Sequence, residues 1–165
     1  MSLYRAGDTM DSPHQESVIE QNLKILRGVP AFSHLDHELL SLFALVADRK
    51  KYSRDEIIFA RGTLLTRAFI IIQGDVELFI GLPNQRNGLE CLGPGNFFGY
   101  MALLAEIQSN LGARALSHCE LLTLDRKNFR RVMTRHPESC ITIVEKLIQA
   151  RMQRMDSHMN LLLES

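Results

Sequence analysis

The stretch that decides the reading is Leu92-Gly-Pro-Gly-Asn-Phe-Phe-Gly-Tyr-Met-Ala-Leu-Leu104. Gly93-Pro94-Gly95 turns the chain, because proline presets one turn dihedral and glycine tolerates the others. Short β-rich runs punctuated by glycine lie before it. Glu56–Ala60 ends at Arg61-Gly62, Ala68–Ile72 ends at Gln73-Gly74, and Asp75–Ile80 alternates with Val76, Leu78 and Ile80 on one face. Pro83–Gly88 reads as a loop whose Asn87-Gly88 step favours a hairpin turn, and Leu89–Leu92 as the returning strand. Two further strands are expected over 112–117 and 119–124. Short strands at such regular spacing suggest a sandwich or barrel.

Helical patterns flank this β-rich middle. Ile19, Leu23 and Leu26 share one face of a first helix that Gly28 and Pro30 stop, and Asp36 caps a second with Leu39, Phe43 and Val46 on one face. Asp125 caps a third that runs to Met133 and breaks at His136-Pro137. Pro137 suits the first turn of a last helix. There Ile141, Val144, Ile148, Met152, Met155, Met159 and Leu162 recur every three or four residues as one stripe. The expected organisation is a disordered leader over 1–13, N-terminal helices over 14–47, a β-barrel over 48–125 and C-terminal helices over 126–165.

Nineteen Lys and Arg balance nineteen Asp and Glu, which removes the electrostatic footprint of a nucleic-acid binder. No apolar run is long enough for a membrane span, and no signal peptide is visible. Three cysteines without a CxxC pair fit buried, reduced thiols in a cytoplasmic protein.

The quoted segment, with Ala113-Arg-Ala-Leu-Ser-His-Cys-Glu-Leu-Leu122 after it, resembles the phosphate-binding cassette of cyclic nucleotide-binding domains. Val29-Pro-Ala-Phe32, Gly62, Gly74 and Leu124-Asp-Arg-Lys-Asn-Phe129 also look like that family, so the resemblance spans about Val29 to Arg154. It implies an α+β fold, an eight-stranded jelly-roll barrel between N-terminal and C-terminal helices, with a cassette over 97–115. It also implies a regulatory, non-enzymatic role. The ligand would be a cyclic nucleotide or another small anion, bound by the cassette residues Phe98, Gly99, Tyr100, Met101, Ala102, Leu103, Ser109 and Asn110. In the family a short helix begins after the Phe-Gly step, and its first N–H groups point at the cyclic phosphate.

Two family side chains are missing. A glutamate directly after Phe-Gly holds the ribose, and an arginine nine residues later pairs with the phosphate; here those positions are Tyr100 and Ser109. Hydrogen bonds to charged groups contribute about 1.5–3 kcal/mol each. Losing both costs about 3–6 kcal/mol if they add, which takes a micromolar site to millimolar or weaker. The expectation is weak or no affinity for cAMP and cGMP. Read without the resemblance, Tyr100 is a surface or core-edge aromatic and Ser109-Asn110 a plain polar loop. Arg114 matches a strand position that often carries an outward Lys or Arg.

Other chemistries find little support. A metal-dependent barrel enzyme needs inward histidines, and none lies between His37 and His118. His118 and Cys119 are adjacent on a strand and face opposite ways, so an exposed imidazole and a buried thiol are expected. The basic run Arg126–Arg131 with Arg135 reads as a solvated helix face. With the last helix ending at Ser165 there is no room for a helix-turn-helix, so direct nucleic-acid binding is not expected. The methionine-rich stripe reads either as a lid on its own barrel or as a seam with another copy, and a homodimer is the favoured partner. The alternative to a ligand sensor is a ligand-independent dimerisation or interaction module.

Overall fold

The computed structural model describes residues 15–85 and 87–165. The expected leader over 1–13 lies outside the described residues. Two helices come first, α1 (Val18–Arg27) and α2 (His37–Val46). Ser17 caps α1 in a reciprocal box with Glu20, and the Asp36 carboxylate accepts from Leu39 N at 2.9 Å to start α2. Ten strand segments follow: β1 (Asp48–Tyr52), β2 (Ile57–Phe59), β3 (Leu64–Leu65), β4 (Arg67–Gln73), β5 (Val76–Phe79), β6 (Gly88–Leu92), β7 (Phe97–Phe98), β8 (Ile107–Gln108), β9 (Gly112–Ala115) and β10 (Cys119–Asp125). A one-turn 3-10 helix (Tyr100–Leu103) sits between β7 and β8, and α3 (Arg126–Arg135) and α4 (Pro137–Glu164) close the chain.

The fold is α+β with antiparallel pairing throughout the described strands. One sheet runs β1-β10-β4-β7, a second β2-β9-β5-β6, and β3 pairs with β8 alone. Ten segments therefore stand where eight strands were expected. The difference arises where an extended path is interrupted, at Thr66 between β3 and β4 and at residues 109–111 between β8 and β9. The loop of the β5–β6 hairpin is also longer than expected. Ile80 N donates to Asn87 O, and Phe79 already pairs with Gly88, so the Asn87-Gly88 step opens β6 rather than forming the turn.

Burial explains the residue patterns. Phe69 and Ile71 of β4 face an interior shared with Val76, Leu78, Ala113, Ala115 and Leu121 of neighbouring strands. Ala68 and Ile70 face the helices, in a core with Phe32, Phe43, Leu122, Phe129 and Leu147. β4 is apolar on both faces because both are covered, which is why its sequence runs without alternation. α4 docks through Ile143 and Leu147, both fully buried, and through His158. The stripe, which reads as a lid or, by preference, as a seam with another copy, does not lie on the barrel as a lid would, although Val144 within it is half-buried. Ile141 is 71% exposed, and Ile148, Met152, Met155, Met159 and Leu162 are also exposed. The thiols are free, but burial holds only for Cys119; Cys91 is exposed and Cys140 half-buried.

Candidate functional site

The site is built around the turn out of β7. Gly99 has φ +69°, and a Cβ there would stand 3.2 Å from Phe69 Cδ2 and 3.5 Å from the Arg67 carbonyl. A left-handed, close-packed position of this kind favours glycine. It aims the chain directly into the 3-10 turn, in which Ala102 N donates to Gly99 O at 3.2 Å. The amides of Tyr100 and Met101 precede that first bond of the turn and so lack partners within it. At the other end of the turn, Arg126 donates to the Ala102 carbonyl at 3.4 Å and Arg130 to the Leu104 carbonyl at 2.9 Å. The basic run of α3 is thus not only a solvated face, since two of its guanidiniums hold carbonyls at the end of the turn.

Beside the turn lies a cavity of about 270 Å³. Six of the eight residues expected from sequence line it: Phe98, Gly99, Tyr100, Met101, Ser109 and Asn110. Ala102 and Leu103 do not. Both are fully buried, Ala102 between the sheets and Leu103 against the helices. A one-turn helix points successive side chains in different directions, and these two point into core.

Tyr100 is 4% exposed, and its ring packs on Phe97 with centroids 5.0 Å apart. Burial pushes the phenol pKa up, opposed by the guanidiniums of Arg154 and Arg151, while Glu90 adds to the rise. Ser109 is turned inward on its own loop. Its hydroxyl donates to Leu111 O at 2.5 Å and accepts from Leu111 N at 3.3 Å, and its main chain bonds Gly62 N and Thr63 O. Arg114 does not line the cavity. It stands on the outer face of β9, as its strand position predicts, but it is covered rather than solvated. It is 8% exposed and stacks 4.6 Å over the Phe79 ring, with Nε and Nη2 lacking partners among the described residues. His118 is exposed and Cys119 buried, and no cluster of metal-ligating side chains occurs among the described residues.

Sequence reasoning missed two lining residues that carry charge. Arg151 and Arg154 of α4 reach the cavity from above. Arg154 donates to Phe97 O at 3.1 Å, and its guanidinium carbon lies 5.8 Å from the Tyr100 ring centroid. Four residues further on, His158 Nε2 meets Glu90 Oε2 at 2.5 Å and fixes the helix to β6. The available signal was position: 151, 154 and 158 follow Ile143 and Leu147 along the face of α4 that leaves the methionines outside. The remaining floor, with Phe59, Leu65 and Leu78, comes from strands distant in sequence.

Comparison with known proteins agrees with this geometry. The profile of the cyclic nucleotide-binding domain family matches residues 49–136, which take in the β-rich region from the second residue of β1 onward, and α3. The chain is 31% identical over 138 residues to the cyclic AMP receptor protein of Thermus thermophilus, covering 83% of this chain and 63% of that protein. It is 34% identical over 119 residues to the cGMP-dependent protein kinase isozyme 1 of Drosophila melanogaster, covering 70% and 16%. The chain therefore spans less than two thirds of these curated relatives. Among solved structures, a cyclic nucleotide-binding-like protein from Brucella abortus superimposes with a TM-score of 0.63 at 31% identity, covering 69% of this chain and 98% of that one. No described helix is long and apolar enough to cross a membrane. The turn at Gly99, the cavity beside it and these matches agree, and the chain belongs to the cyclic nucleotide-binding domain family.

Proposed function

We propose that the chain is a non-enzymatic, cytoplasmic regulatory module whose pocket binds cAMP and cGMP weakly or not at all. The observation that carries this reading is the state of the two positions beside the turn. The Tyr100 ring packs on Phe97 where the resemblance expects a ribose-binding carboxylate, and the Ser109 hydroxyl is committed to Leu111 where it expects a guanidinium. A phosphate seated at the turn meets main-chain amides there with no guanidinium from the barrel, which raises its desolvation cost, and the charges that do line the cavity, Arg151 and Arg154, stand on α4.

Occupancy would act through the helices. Arg126 and Arg130 tie the turn to α3, and α3 leads through His136-Pro137 into α4. A ligand drives this movement only to the extent that it favours one helix position over another. The reader of the movement is a second copy. The exposed residues Ile148, Met152, Met155, Met159 and Leu162 follow the four-three alternation of a coiled-coil seam. That stripe is also what favours the second reading, a ligand-independent dimerisation module. Titration calorimetry with cAMP and cGMP tests the first reading: no saturable heat is expected at micromolar ligand, and micromolar affinity refutes it. If no small molecule raises the melting temperature while sedimentation shows a dimer, the second reading stands.

A further inference from the structure

We infer that the anion-binding charge of this pocket resides on α4, in Arg151 and Arg154, and that the ligand is a small amphipathic organic anion, with its apolar body in the cavity and its charged group facing the helix. The inference rests on the reading of the cavity as a ligand site and names what that site takes. Its first support is the charge of the lining: two guanidiniums and no carboxylate. The two arginines are one turn apart on the same helix face, and both line the cavity. Neither guanidinium has an ion pair among the described residues, and like charges so placed favour an anion between them.

The second support is how the guanidiniums are engaged. Arg154 places one hydrogen bond on Phe97 O and leans over the Tyr100 ring, which fixes the head and leaves further N–H donors free. Arg151 has no side-chain hydrogen bond or ion pair among the described residues, although it is half-buried. One tethered and one unengaged guanidinium suit a carboxylate or phosphate that completes the set. The opposite wall is apolar, with Phe59, Leu65, Leu78 and Phe98. The volume, about 270 Å³, falls just under the usual range for drug-sized ligands, roughly 300–1,000 Å³. That suits a body of fused-ring size. A ligand so placed touches strands on one side and α4 on the other, so its binding holds the helix against the barrel.

The test uses the full chain and a matched pair of probes, 2-naphthoate and its neutral isostere 2-naphthamide, titrated by ligand-observed NMR. Naphthoate is expected to bind at least about tenfold more tightly than the amide. Arg151→Gln is expected to remove about that factor for naphthoate and leave the amide unchanged. Leu78→Trp, which fills the cavity, is expected to abolish binding of both; Asn110→Trp at the exposed rim replaces it if the core variant does not fold. If filling the cavity abolishes both probes but they bind equally and Arg151→Gln alters neither, the cavity is a site and the charge assignment is overturned. Absence of naphthoate binding at millimolar concentration also overturns it. Binding that survives both cavity-filling variants overturns the cavity reading, and the inference with it.

Discussion

If the pocket binds cAMP weakly for want of these two groups, as proposed, supplying them should raise the affinity, so the Tyr100→Glu, Ser109→Arg double variant is the most informative perturbation. Each restored hydrogen bond to a charged group contributes about 1.5–3 kcal/mol, so the pair raises cAMP affinity by about two to four orders of magnitude if they add. The surroundings set the balance. A carboxylate at position 100 enters beside Arg154, whose guanidinium carbon is 5.8 Å from the present ring, and an ion pair there competes with the ribose. Ser109 lies at the loop between β8 and β9, and its main-chain bonds to Gly62 and Thr63 survive replacement of the side chain. Ser109→Arg alone should therefore gain more affinity than Tyr100→Glu alone. The cost falls on stability. Removing a buried aromatic packed on Phe97 lowers it by about 3–5 kcal/mol, whereas losing the Ser109–Leu111 hydroxyl bond costs about 1 kcal/mol. Calorimetry of parent, single and double variants at 25 °C, with a melting curve for each, separates the two effects. A double variant that melts cooperatively and still binds no cAMP refutes the reasoning, as does a parent that already binds at micromolar concentration.

Met155→Asp places a carboxylate in the middle of the exposed stripe. Because a buried methionine contributes about 1.5–3 kcal/mol and each dimer has two, the substitution should weaken the proposed pairing about a hundredfold or more, seen by light scattering as a shift to monomer mass. Tyr100→Phe should flatten the alkaline limb of stability. The folded phenol pKa lies above its usual value, so the contribution is intact below about pH 10 and is lost as pH rises through the folded pKa; chemical denaturation from pH 8 to 11 reads the difference. Gly74→Ala should destabilise the fold by about 2–5 kcal/mol, since φ is +88° and the new Cβ would collide with the His118 carbonyl and stand 2.7 Å from Cys119 Sγ. Thermal unfolding measures that loss directly.

What could be read in the sequence is what local chemistry encodes. Asp36 and Asp125 predicted helix starts because a short carboxylate satisfies the first amides, and both carboxylates accept from the backbone three residues on. Gly99 could be placed at the turn because it follows Phe98 in a recognisable segment. The two-residue strands β3, β7 and β8 could not be read, since two residues have no period and their pairing is set by distant partners. The stripe of α4 was legible as a face but not as a direction. Ile143, Leu147 and His158 lie on another face with fewer apolar residues, yet that face meets the barrel. A moment along a helix shows that two faces differ, and only the surrounding structure decides which is buried. The same limit hid Arg151 and Arg154, because a charge inside a helical pattern reads as solvent-facing until something is found opposite it.

The two faces of α4 also constrain how any signal can travel. The inner face holds the barrel through two fully buried side chains, the Arg154–Phe97 bond and the His158–Glu90 pair. The outer face carries the exposed apolar stripe, the seam of the proposed pairing. A rigid helix cannot rotate one face without moving the other, so a ligand that fixes Arg151 and Arg154 also fixes the orientation in which the methionines are displayed. A ligand that contacted only the 3-10 turn would have to act through Arg126 and Arg130, then α3, then the break at His136-Pro137, and each joint can absorb displacement. Direct contact with α4 is the shorter mechanical path, and its strength is bounded by the difference in affinity between docked and undocked helix.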